Sequence, residues 1–337
     1  MNKDLLLTNA CARRLYARVC ALPIYDYHCH LSPKEICEDK PCNDIGELWL
    51  SGDHYKWRIM RAAGIDEYYV TGGATYKEKF IKYAQACEFA AGSPLYTWNE
   101  MELSLIFGIN EPLTPSSAER IYELANRKIR ESAMSPRSLI KRFNVKFIGT
   151  TDDATDSLEW HEKISADRTI DTVVSPSFRC DKLLLIRADG YSDYIKRLGV
   201  ASKMSINCFD DLLAAVENRL DHFVAHGCRS TDVGIPEFPT RIADKKEAGE
   251  TFAKALIGEP LTDTEYSGFL GFMFVALGRL YKERGLVMQL HIAVARNVNR
   301  ALYDECGPDS GGDCIGERVP VADIARVFNA IADGGDM

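Results

Sequence analysis

From residue 143 onward the chain alternates strand-like runs with long amphipathic helices, and this order is the strongest constraint on its fold. Val145 to Asp153 (VKFIGTTDD), Thr172 to Arg179 (TVVSPSFR), Cys228 to Val233 and Leu286 to Ala293 (LVMQLHIA) read as strands. Pro176 lies inside the second run and should limit how far its ladder extends. Asp210 to His226 and Tyr266 to Arg284 repeat apolar residues at helical spacing and stop at Gly227 and Gly285. Glycine suits the left-handed position after a helix. Strands that alternate with long helices assemble as a parallel sheet.

An earlier strand precedes this region. Asp4 to Ala21 reads as a helix closing at Leu22-Pro23, followed by the run Ile24 to Leu31, which contains His28 and His30. Residues 32–142 are almost wholly helical in pattern, with Asp53 to Ala63 ending at Gly64 and Tyr76 to Ala91 ending at Gly92. Thr114-Pro115 and Ser135-Pro136 read as N-caps with proline at the first helical position. The expected organisation is therefore 1–31 as first helix and first strand, 32–142 as an α-helical insert, and 143–337 as strands two to five with their helices. An insert of roughly a hundred residues far exceeds an ordinary strand-to-helix connection.

Polar residues fall at the C-terminal ends of the strand runs: His28 and His30, Asp152 and Asp153, Arg179, Arg229 with Asp232, and His291. A (β/α)8 barrel builds its active site there. The expected fold is thus α/β, a TIM-barrel-like (β/α)8 fold that is incomplete, with about five strands. A doubly wound open sheet is the alternative, weakened because no Gly-x-Gly-x-x-Gly follows any strand. Gly307 to Asp313 reads as a surface loop, and Ala332 to Met337 as a loop leading to a sixth strand that is absent.

Alternate residues of a strand share a face, so His28 and His30 can point to one side. Two neutral imidazoles there suit a zinc-like divalent ion. A hydrogen-bonded histidine pair is the ordinary explanation of His-x-His, and the barrel context turns the reading toward metal ligands. A third protein ligand is needed, and Asp152, Asp153, Asp232 and His291 qualify by position alone. His54-Tyr55 reads as a helix start capped by Asp53, or as a proton-transfer pair on a loop over the barrel mouth. Arg179 can grip a carboxylate through two parallel hydrogen bonds, or form a surface ion pair with Asp181. His291, between Leu290 and Ile292, is an active-site candidate from its place near a strand's end; His161, His222 and His226 read as structural.

A formal net charge of −8 argues against a nucleic-acid or anionic-membrane partner. The longest apolar stretch, Phe269 to Leu280, is too short and too glycine-interrupted to span a bilayer. Eleven cysteines without any Cys-x-x-Cys pair fit reduced thiols in a cytoplasmic protein.

DYHCHLSP, GDHYKWRIMRAAG, FIGTTDD, SPSFRCDK, GCRSTDVG and LVMQLHIAVARNVN occur in this order. In them the chain resembles the uronate (glucuronate) isomerases, members of the amidohydrolase superfamily with its metal-dependent hydrolase form of the (β/α)8 barrel. The resemblance implies aldose–ketose isomerisation of D-glucuronate to D-fructuronate and of D-galacturonate to D-tagaturonate. It implies a divalent metal at His28 and His30, an active-site pair His54-Tyr55, a substrate-contacting Arg179 and an active-site His291. Proton transfer through an enediol would fall to Tyr55, with His54 in support. The implied partner is a small-molecule hexuronate, and homo-oligomer formation is left open.

Departures from the family pattern are Val233 and Val298, expected to remove polar groups near the barrel mouth, together with Ala293 and Cys180. The family's seventh-strand tryptophan motif and its eighth-strand Thr-Asp-Ser-Arg motif, whose aspartate is a metal ligand, have no counterpart here. The expectation is that this polypeptide alone lacks isomerase activity. The alternatives are a metal-dependent hydrolase of the same superfamily and a non-catalytic remnant.

Overall fold

The computed structural model describes residues 6–316 and 321–333. The expected helix start at Asp4 and the tail from Gly334 lie outside the described residues. The chain divides into two compact units. One comprises Met1–Pro23, Glu38–Asn144 and Arg296–Cys314; the other comprises Ile24–Cys37, Val145–Ala295 and Ile315–Met337.

The second unit is built on five strands: β1 (Ile24–Asp26), β2 (Val145–Asp153), β3 (Val173–Arg179), β4 (Ser230–Gly234) and β5 (Val287–His291). All neighbouring pairs are parallel, and the strands hydrogen-bond in chain order. That order has no reversal point, which excludes the doubly wound alternative. It is the order of an incomplete (β/α)8 barrel. Pro176 acts as its lack of an N–H requires: β3 pairs with β2 along its whole length, but with β4 only from Phe178.

β1 is shorter than its apolar run suggested, and the two histidines stand in the segment after it. This segment still follows β2. The Cys29 N–H donates to the Gly149 carbonyl at 2.9 Å, and Thr151 Oγ1 donates to the Cys29 carbonyl at 2.9 Å. Gly149 makes this possible, because a Cβ there would lie 2.4 Å from the Tyr27 carbonyl oxygen. Gly149→Ala is expected to displace the histidine segment and to destabilise the protein by about 1–3 kcal/mol. An unchanged urea-unfolding midpoint for that variant would refute the steric account.

Helices Tyr191–Ser202, Phe209–Ala225, Lys245–Leu256 and Asp263–Glu283 share one core with the sheet, centred on Phe178, Leu212, Phe223, Phe269 and Phe274. Asp263–Glu283 opens with a capping box of Thr262 and Glu265 and is apolar almost all round. Such a helix is buried in a large core, and no helix among the described residues is long and apolar enough to cross a membrane. Val233 is buried in this core, so the departure there packs an apolar side chain and does not strip the barrel mouth of a polar one. Arg229 also differs from expectation. Its carbonyl accepts from the Val287 N–H where β5 begins, which puts Arg229 before β4, at the opposite end from Asp232.

The other unit packs the helices of the insert around Ile45, Trp49, Phe80, Tyr83, Leu103 and Ile121. Ser135-Pro136 starts the helix Pro136–Arg142 as expected, with a capping box. Thr114-Pro115 does not start one directly. Thr114 Oγ1 accepts from the Ser117 N–H at 3.3 Å, closing a separate turn, and the helix runs Ala118–Ser132. The loop at Gly307 to Asp313 is tied down within this unit, because Arg58 Nε donates to the Gly311 carbonyl at 3.0 Å.

Candidate metal centre and active site

Parallel register sets the site. Asp153 of β2 pairs with Arg179 of β3, Arg179 with Asp232 of β4, and Asp232 with Gln289 of β5. Two residues further along, Gly234 pairs with His291. Side chains of period two put Asp232 and Gly234 on one face and Val233 on the other. The buried position of Val233 among the helix-side core fixes which face is which.

His28, Asp232 and His291 each offer one ligand atom, and these atoms lie within 4.8 Å of one another. His28 Nδ1 and both oxygens of Asp232 are buried without a hydrogen-bond partner. His291 Nε2 stands 3.0 Å from Asp232 Oδ1, and Arg179 Nη1 stands 3.3 Å from Oδ2. The arginine contact gives charge attraction, but neither contact has hydrogen-bond alignment. A buried carboxylate left in that state is costly unless a cation completes it, so the donor set fits a divalent ion. Burial lowers the His28 pKa, against the attraction of Asp232 and with the help of His291, His30 and Arg179. The neutral imidazole favoured in this way is the ligating form. His30 stands beside the trio, its ring centroid 5.2 Å from that of His28, and is exposed.

The other carboxylates proposed by position are engaged elsewhere. Thr150 Oγ1 donates to Asp152 at 2.7 Å and lies 2.8 Å from His161 Nε2. Burial pushes Asp152 up to about 6, and burial holds His161 down to about 4. The 3.7 Å contact between His161 Nε2 and Asp152 Oδ2 is therefore not a salt bridge at neutral pH, since the imidazole is uncharged. Burial pushes the Asp153 carboxyl upward, but hydrogen bonds from Thr155 and Lys182 outweigh it and hold the group below the usual carboxylate range.

Arg179 lines an open pocket of about 590 Å³ with His30, Asp152, Asp153, Asp181 and Lys182. Its Nε donates to Asp181 Oδ2 at 2.8 Å. Asp181 was foreseen only as a surface ion-pair partner, yet its Oδ1 also accepts from the Gly234 N–H at 2.7 Å, so it joins the ends of β3 and β4. A glycine directly after a strand-end Asp-Val pair was the available signal for this close approach.

His54-Tyr55 belongs to the other unit and opens the helix His54–Ala62. Asp53 caps it, accepting from the N–H groups of Tyr55 and Lys56 at 3.0 and 3.1 Å. The buried Lys56 reaches back to Asp53 at 2.7 Å and fixes this start. Tyr55 is exposed, and its ring centroid lies 4.4 Å from that of His54. His222 and His226 make helix-side contacts to Ser157, Glu162 and one another.

Comparison with known proteins places the sequence and the fold in a family. The glucuronate isomerase family model matches residues 1–337. A uronate isomerase of Salmonella paratyphi B is 45% identical over 335 residues, covering 98% of this chain and 71% of the relative. One from Lachnospira eligens is 42% identical over 332 residues, with the same coverage of 98% and 71%. The crystal structure of uronate isomerase from Thermotoga maritima superposes with a TM-score of 0.94 at 34% identity, covering 100% of this chain and 74% of that one. Glucuronate isomerase from Caulobacter crescentus gives a TM-score of 0.88 at 25% identity, covering 94% and 67%. On sequence and on fold, the chain belongs to the uronate isomerase family.

Proposed function

We propose that the site at the C-terminal ends of β3 to β5 belongs to the interconversion of aldose and ketose hexuronates, D-glucuronate with D-fructuronate and D-galacturonate with D-tagaturonate. Whether this polypeptide alone turns them over, against the expectation from its sequence, is decided by the ketose assay. The observation that carries this reading is the convergence of His28, Asp232 and His291 beside an arginine in an open polar pocket. We assign the ion to these three groups, with His30 as a fourth donor, and expect a zinc-like divalent metal. When bound, it supplies orientation and polarisation of substrate oxygens.

Arg179 seats the substrate carboxylate, which leaves C1 and C2 of the opened sugar at a fixed distance from the anchored end. Isomerisation then moves a proton from C2 to C1 through an enediol while the proton of the C2 hydroxyl passes to the C1 oxygen, and one group must take the carbon-bound proton and return it. On the family's His-Tyr motif, Tyr55 carries the proton and His54 supports it. His291, expected as a further active-site histidine, is assigned to offer a ring nitrogen to the ion beside Asp232. Eleven unbridged cysteines fit a reducing cytoplasm.

The test measures uronate binding by titration calorimetry and ketose formation, both on metal-loaded protein. Both uronates are expected to bind, with the corresponding hexoses excluded, and Arg179→Ala is expected to remove the discrimination. Failure to bind either uronate, or hydrolysis of lactones or amides in place of ketose formation, overturns the proposal.

A further inference from the structure

We propose that Asp181 is the positioning residue for Arg179, holding the guanidinium at the junction of β3 and β4 so that it meets the substrate carboxylate in one orientation. This rests on the reading that Arg179 seats that carboxylate. Three observations carry it. Asp181 uses both oxygens in fixed directions, Oδ2 toward Arg179 Nε at 2.8 Å and Oδ1 toward the Gly234 N–H at 2.7 Å. The arginine is thereby tied to the backbone of the next strand through a single carboxylate.

The surroundings leave little freedom. A Cβ on Gly234 would stand 3.3 Å from Arg179 Nη2 and 3.5 Å from Asp181 Oδ2, so the glycine makes room for this pair. Both side chains line the same pocket, and both are largely buried at its wall.

Arg179 also faces Asp232, at 3.3 Å from Nη1. A cation on the His28–Asp232–His291 cluster would compete for the Asp232 charge and weaken that hold. Asp181 is not part of the cluster, so its grip on Nε persists whether or not the cluster is loaded. A planar guanidinium anchored at Nε keeps its plane, and with it the geometry needed for paired hydrogen bonds to a carboxylate.

The experiment compares D-glucuronate with D-glucose by titration calorimetry, using the metal-loaded protein and its Asp181→Asn, Gly234→Ala and Arg179→Ala variants. Asp181→Asn preserves shape and removes the charge. It is expected to weaken uronate binding about tenfold, the lower end of what losing an orienting carboxylate costs a ligating side chain. Glucose, which the unaltered protein is expected to exclude, should remain excluded. Gly234→Ala, which alters no charge, should weaken uronate binding in the same selective way by pressing on Arg179. If both variants keep uronate affinity within twofold of the unaltered protein while their melting temperatures fall, Asp181 is only a brace between strands and the inference is wrong. If Arg179→Ala itself leaves uronate affinity unchanged, the assignment of Arg179 as the carboxylate seat fails instead.

Discussion

A zinc-like divalent ion is expected to raise the unfolding temperature of the unaltered protein, and Asp232→Asn is expected to abolish that rise. At a free-ion concentration one hundred times the dissociation constant, binding to the folded state alone stabilises by about 2.7 kcal/mol. Asp232 is the only anionic member of the cluster, and its two oxygens are buried without an aligned donor. Asparagine keeps the volume and one oxygen but loses the charge, so two neutral imidazoles and an amide remain. Hard and borderline cations bind such a set far more weakly than one with a carboxylate. His28→Ala should behave likewise, since it removes the buried nitrogen that lacks a partner. His161→Gln should retain the whole rise, because that histidine bonds to Thr150 outside the cluster. Differential scanning fluorimetry with and without the ion reads all three variants. A full ion-dependent rise in Asp232→Asn would show that the ion binds somewhere else.

The sheet was legible because strand–helix alternation leaves few solutions. The length of β3 pairing with β4 followed from the missing N–H of Pro176. Strand ends were harder, because they depend on partner register. Arg229 and Asp232 lie in one short run, yet they fall on opposite sides of the ladder's start. The same limit applied to β1. The apolar run continued to Leu31, but the ladder ended at Asp26, and the hydrogen bonds of Cys29 with Gly149 and Thr151 keep the histidine segment alongside β2. Sequence position could not rank Asp152, Asp153 and Asp232 as ligands. Local donors rank them: Thr150 occupies Asp152, Thr155 and Lys182 occupy Asp153, and Asp232 is left with misaligned neighbours. Such donors are close in space but not deducible from spacing alone. Val233 was readable in principle, since an inward Asp232 requires an outward neighbour.

The buried Asp152–Thr150–His161 chain gives the second large effect, in which two variants respond to acid with opposite signs. His161 is held down from 6.5 to about 4 by burial. At 1.36 kcal/mol per pH unit, this makes about 3 kcal/mol of stability that is present above pH 6.5 and lost as pH falls toward 4. Asp152 is pushed up from 3.8 to about 6 by burial. Its ionised form therefore costs about 3 kcal/mol above pH 6, and that cost is relieved as pH falls toward 3.8. The windows overlap, so in the unaltered protein the two contributions nearly cancel between pH 6.5 and 4. Asp152→Asn removes the relief and leaves the loss, so this variant should be less stable at pH 4 than at pH 7 by about 3 kcal/mol. His161→Gln removes the loss and leaves the relief, and should gain stability over the same interval. Both replacements keep a group able to bond Thr150, which separates titration from simple loss of packing. Urea unfolding followed by circular dichroism at pH 7 and pH 4 measures each slope against that of the unaltered protein. Slopes of the same sign in the two variants would mean that these side chains do not carry the opposed charges assigned to them.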